Sequence, residues 1–218
     1  MKITILRYLL LIFLVIVTIG CIGDNGASDE QSDFDYYVER GNSFYQIGNY
    51  EDAISMYSKA LEIDPGRSSN IWVYRASSYY LLQMYSNAAS DYKRAIELGT
   101  RDIEVKKYYA YSVYGTGDYE NAQRLFNNVL ENEANDPVIW AYLGYSQYER
   151  GYYDDALISF ENAIELTPDP SYLDYHHLAY SHHYLGNEEK ALYYFDKAIE
   201  VNPYDEELIQ MRKTLLEN

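Results

Sequence analysis

The chain has 218 residues, 48% of them apolar, so it can bury a core and is not disordered throughout. Its formal net charge is −17 at pH 7, which argues against wrapping nucleic acid, since no excess of cations is available to neutralise phosphates. The single cysteine excludes an intramolecular disulfide, and tyrosine is over-used at 28 residues against 6 Phe and 2 Trp.

In chain order, Lys2 and Arg7 form a basic start, and Tyr8–Ile19 carries no charge. That run is shorter than the roughly 20 residues a spanning helix needs and fits a signal-peptide core. It ends in Thr18-Ile19-Gly20-Cys21, which resembles the lipobox of prokaryotic lipoproteins, with Thr18 where leucine is usual. The resemblance implies removal of residues 1–20 and lipidation of Cys21. The alternative is an uncleaved N-terminal anchor from Ile3 to about Ile22, with Arg7 reaching back to the interface. Either way the remainder is expected at the extracytoplasmic face of a membrane. Residues 21–33, polar and acidic without apolar periodicity, read as a flexible linker.

From Phe34 a pattern repeats. Ala53, Ala88, Ala122, Ala156 and Ala191 follow one another at steps of 35, 34, 34 and 35 residues. Three residues before the first four stands Tyr50, Tyr85, Tyr119 or Tyr153, with Glu188 in the fifth copy. Four residues after each comes Tyr57, Tyr92, Phe126, Phe160 or Phe195, and seven after comes Ala60, Ala95, Val129, Ala163 or Ala198. Offsets of 3, 4 and 7 place these residues on one helix face. Small residues recur upstream at Gly41, Ala76, Ala110, Gly144 and Ala179, marking a second helix in each copy where a partner can approach closely. Gly48, Gly117, Gly151 and Gly186 separate the two helices, and Asn49, Asp118 and Asn187 stand behind three of them as expected N-caps. Pro65, Pro168 and Pro203 stop the second helices of three copies.

This spacing and residue set resemble the tetratricopeptide repeat, a helix–turn–helix unit of 34 residues. The fourth copy carries the resemblance best, in Trp140, Leu143, Gly144, Tyr153, Ala156, Phe160, Ala163 and Pro168, and departs from it at Gln147, with Tyr148 displaced by one. The resemblance implies an all-α, right-handed superhelical solenoid of five repeats over 34–68, 69–102, 103–136, 137–171 and 172–205. Residues 206–218 are expected to form a capping helix, because the last hairpin otherwise leaves a face uncovered.

By the same resemblance one stripe of each first helix faces a concave groove. It reads Val38, Asn42, Tyr45; Val73, Ser77, Tyr80; Lys107, Tyr111, Tyr114; Ala141, Tyr145, Tyr148; and His176, Tyr180, His183. The candidate partner-binding residues are therefore Asn42, Tyr45, Tyr80, Lys107, Tyr111, Tyr114, Tyr145, Tyr148, His176, Tyr180 and His183. Tyrosine offers a flat apolar face and a hydroxyl with little entropy to lose, which suits binding. The alternative is that these rings stack between repeats and only stiffen the solenoid.

All four histidines lie at 176, 177, 182 and 183, and none are spaced by 3 or 4 as a helical metal pair requires. His182 is expected on the packing face, and His176 and His183 in the groove, whose charge would rise below about pH 6.5. Asp154-Asp155 and Glu188-Glu189 open helices, where carboxylates complement the dipole. No phosphate loop and no pocket-forming insertion is present, so no catalytic residue, cofactor or metal is assigned. The expected function is a non-catalytic scaffold for a protein or peptide partner, with envelope polysaccharide as the alternative ligand. Self-association stays open.

Overall fold

The computed structural model describes residues 25–217, with side-chain burial from Glu30 onward. The signal segment 1–20 and Cys21 lie outside the described residues. Among those described there are eleven α-helices and no strand. They are α1 (Asn25–Gln46), α2 (Tyr50–Ile63), α3 (Ser69–Leu81), α4 (Tyr85–Glu97), α5 (Ile103–Gly115) and α6 (Tyr119–Leu130). The series continues with α7 (Pro137–Glu149), α8 (Tyr153–Leu166), α9 (Tyr172–Tyr184), α10 (Glu188–Val201) and α11 (Glu206–Glu217). No described helix is long and apolar enough to cross a membrane.

The first helix departs from the sequence expectation. It begins at Asn25, within the stretch read as a linker, rather than near Phe34. Once Phe34, 3% exposed, anchors the helix, each further turn costs only propagation, and nucleation is the expensive step. Polar composition was read as disorder, although a polar segment joined to a packed helix can continue it.

Helices α1, α3, α5, α7 and α9 each pair with the next to form a hairpin, and each hairpin packs on its neighbour. The interface within a hairpin follows from the small residues. A Cβ built on Gly144 would stand 2.6 Å from Cε1 of Phe160, so only glycine lets α7 and α8 approach this closely. Gly41 meets Tyr57 in the same way. Ala53, Ala88, Ala122, Ala156 and Ala191 are all fully buried, as are Phe126, Phe160 and Phe195. Neighbouring hairpins then share apolar clusters, such as Ala110, Ala122, Phe126 and Val129 with Ile139 and Leu143 of the next hairpin.

The turns follow local chemistry. Gly48, Gly117, Gly151 and Gly186 take positive φ. The second hairpin has no glycine there, and Gln83 adopts φ +58° in its place, a conformation costly for a residue with a Cβ. Asn49 and Asp118 accept hydrogen bonds from Asp52 N and Asn121 N and so cap α2 and α6. Asn187 stands at the N-cap of α10 without a side-chain cap bond, so its expected bond is not made. Helices α2, α8 and α10 each stop two residues before Pro65, Pro168 and Pro203.

The closing helix α11 covers the last hairpin with Leu208, Met211 and Leu215. Ile209 and Leu216 are 40% and 58% exposed. Offsets of 3 and 7 from Leu208 define the contacting face, and residues one step round the helix miss it.

Candidate functional site

The five first helices, α1, α3, α5, α7 and α9, each touch the next across the intervening second helix. No two second helices touch one another among the described residues. The layer whose helices approach more closely is the inner side of a curved stack, so the first helices line the concave face. The candidate residues all lie on these five helices.

From Tyr80 to Tyr184 the rings form a chain of contacts, and Tyr45, Tyr57 and Tyr74 form a separate group before it. Tyr45, Tyr80, Tyr111, Tyr114, Tyr145 and Tyr148 are half-buried, whereas Tyr180 is buried at 8% with its ring on Phe195. The connecting rings were not among the residues singled out from sequence. Tyr74 bridges to Tyr45 and Tyr57 of the preceding hairpin, and Tyr108 bridges to Tyr80 and Tyr92. Tyr142 packs on Tyr111, Tyr114 and Phe126, its centroid 4.7 Å from that of Tyr111. His177 takes the same place at 4.6 Å from Tyr145, against Tyr148 and Phe160. The signal was available, because positions 74, 108, 142 and 177 follow the repeat step and stand one residue after the stripe that was read. Each inserts between the groove tyrosine and the second-helix ring of the hairpin before it. The rings thus stack between repeats, and Tyr74 and Tyr108 also remain 43% and 40% exposed.

Asn42 and Lys107 are engaged within the protein. Asn42 Oδ1 accepts a hydrogen bond from the hydroxyl of Tyr57 at 2.9 Å. Lys107 Nζ, its side chain 11% exposed, lies 3.0 Å from Glu104, 2.5 Å from Glu133 and 2.8 Å from Asp136. Burial alone would lower its pKa, but hydrogen bonds to Asp136, Glu133 and Glu104 outweigh that and raise it. Lys107 therefore holds α5 to the loop before α7, and its charge is already more than compensated.

The tyrosine hydroxyls stay neutral. Burial, reinforced by neighbouring tyrosines, pushes Tyr80 up to about 12, and burial with Tyr119 and Glu149 does the same for Tyr114. Tyr45, Tyr111, Tyr145, Tyr148 and Tyr180 are also raised, each chiefly by burial. His176 does not add charge to the groove near pH 6.5 as expected from sequence. Burial, and then the adjacent His177, lowers His176 to about 4, against a smaller opposing pull from Asp205. His176 packs on Tyr180, and His183 Nδ1 lies 3.7 Å from Glu188. His182 is 2% exposed and stacked on Tyr194, on the packing side. Among the described residues no group of three or more His, Cys, Asp or Glu is placed to hold a metal ion.

Residues 34–67, 137–170 and 175–205 each match a model of the tetratricopeptide repeat. The chain carries tetratricopeptide repeats. Tetratricopeptide solenoids of known structure superpose on it over most of their length. YrrB, described as a tetratricopeptide protein with an unusual peptide-binding site, gives a TM-score of 0.71 at 22% identity, covering 81% of this chain and 90% of its own. MamA gives 0.70 at 19% identity over 80% and 97% of the two chains. MamA of Desulfovibrio magneticus RS-1, from residue 41 to its end, gives 0.70 at 13% over the same shares. These superpositions show a shared tetratricopeptide fold. No curated protein matches the chain.

Proposed function

We propose that this protein is a non-catalytic scaffold that binds an extended segment of a partner protein along its inner tyrosine face. The observation that carries the reading is the continuous run of ring contacts from Tyr80 through Tyr108, Tyr142 and His177 to Tyr184, most of the rings half-buried and Tyr108 and Tyr184 exposed. Rings already fixed by their neighbours lose little entropy on binding and offer both apolar area and hydroxyls. Burial raises the groove tyrosines and lowers His176, which suits recognition better than proton transfer. YrrB, of the same fold, is described as binding a peptide. We further propose that the N-terminal segment tethers this scaffold to the extracytoplasmic face of a prokaryotic membrane, through a lipid on Cys21 or an uncleaved anchor.

Random peptides selected on the full chain in detergent, alongside isolated cell-wall glycan, test the binding reading. Peptides retained by the wild type and lost in Tyr114→Ala/Tyr148→Ala, with helix content unchanged, are the expected result. Retention of glycan without any peptide would assign the tyrosines to a polysaccharide instead.

A further inference from the structure

The hairpins differ at one paired position. In the last three, a tyrosine on the first helix packs on a phenylalanine of the second: Tyr111 on Phe126, Tyr145 on Phe160 and Tyr180 on Phe195, at 5.7, 5.3 and 5.2 Å. In the first two the pair is Asn42 with Tyr57 and Ser77 with Tyr92, joined by hydrogen bonds of 2.9 Å each. Ser77 is too short to fill the space that a tyrosine ring occupies in the later hairpins. A cavity of about 130 Å³ remains there, lined by Tyr45, Ser77, Tyr80, Leu81, Tyr92 and Tyr108.

That cavity is far larger than one water requires, and four of its six lining residues are tyrosines. The Tyr80 and Tyr108 rings meet at 80° with centroids 5.3 Å apart, and Tyr92 lies near-parallel to Tyr108 at 6.3 Å. No Lys, Arg or His lines it. The rings present negative quadrupole faces, and with their hydroxyls protonated they attract a cation without a formal counter-ion. The net charge of −17 draws cationic partners toward the surface. An anion would find no positive side chain in this lining.

We propose that the Tyr45–Tyr80–Tyr92–Tyr108 cavity is an aromatic cage for an arginine side chain of a basic segment lying along the inner face. The inference rests on the peptide-binding reading above and specifies its partner. Arginine fits because its planar guanidinium stacks on rings and is more weakly hydrated than an ammonium. Ser77 Oγ and the Tyr92 hydroxyl, 2.9 Å apart, supply acceptors at the cavity wall for guanidinium N–H groups.

The test titrates the full chain, at about 0.15 M salt to screen long-range attraction, with a peptide of spaced arginines and with its citrulline counterpart of equal shape and no charge. The arginine peptide is expected to bind about tenfold tighter than the citrulline peptide. Ser77→Tyr/Tyr92→Phe installs the side-chain pair of the later hairpins and fills the cavity, and it should abolish that preference. Tyr80→Leu/Tyr108→Leu, which keeps apolar bulk but removes the ring faces, should abolish it as well, whereas Tyr108→Phe should retain it. Equal binding of the two peptides, no binding of the arginine peptide, or a preference that survives the filled cavity would each overturn the cage. If peptides chosen for the groove still depend on Tyr114 and Tyr148 while arginine gives no advantage, the cage fails and the groove stands. Loss of peptide binding altogether removes both.

Discussion

Lys107→Met tests whether the groove lysine serves the fold or a ligand. Methionine keeps the apolar stem and removes the ammonium, leaving Glu104, Glu133 and Asp136 facing one another without a cation. Their exposures differ at 59%, 37% and 20%, so the three pairs are unequal. The Glu104 contact is an exposed i,i+3 pair worth about 0.3–0.5 kcal/mol. The Glu133 and Asp136 bonds are better shielded, and hydrogen bonds to charged groups are worth about 1.5–3 kcal/mol when lost. Asp136 also caps α7 by accepting from Val138 N and Ile139 N, so freeing it loosens the entry to the fourth hairpin. Allowing for shared geometry, the expected loss is about 2–4 kcal/mol. At about 2–4 °C per kcal/mol for a chain this size, the melt followed by helix circular dichroism should fall by about 4–16 °C. A melting temperature within about 1 °C of wild type, together with lost peptide retention, would refute the reasoning and return Lys107 to the ligand side.

Two further outcomes are expected. Burial, and then the charge of Lys190, lowers the pKa of His182 against a smaller opposing effect of Glu161, and His176 and His177 are lowered as well, chiefly by burial. The unfolded chain therefore takes up protons below about pH 6.5 that the folded chain refuses, so stability is full above that pH and falls toward pH 4, by up to about 1.4 kcal/mol per unit for each histidine. His182→Phe keeps the stack on Tyr194 and should flatten the drop in melting temperature between pH 7 and pH 5, and an unchanged drop would clear His182 of the effect. For the tether, Cys21→Ala should move the protein from the membrane to the soluble fraction if the lipid holds it. Retention in the membrane would favour the uncleaved anchor, and a wild-type protein already soluble would end both versions.

Much of the fold was legible in the chain. The steps of 34 and 35 residues, the offsets of 3, 4 and 7, and the small residue opposite each ring fix two helices per unit and the face on which they meet, because these are consequences of helix geometry alone. Composition misled at residues 25–33, where polarity was taken for a linker and the helix runs on from its anchor at Phe34. The groove stripe was one residue too narrow. Tyr74, Tyr108, Tyr142 and His177 stand beside it in register, but only packing shows that they reach back to the preceding hairpin.

Tertiary structure alone decided how far each tyrosine is enclosed and by which neighbours. The sequence puts Ser77, Tyr111, Tyr145 and Tyr180 at one position of successive helices and treats them alike. In space three of these sites are filled by a ring on a phenylalanine, and the fourth leaves a cavity walled by its neighbours. Lys107 likewise looks like a free cation until Glu133 and Asp136, distant in the chain, close around it. Helical periodicity assigns a side chain to a face, whereas its availability depends on which atoms of the next hairpin already occupy that face.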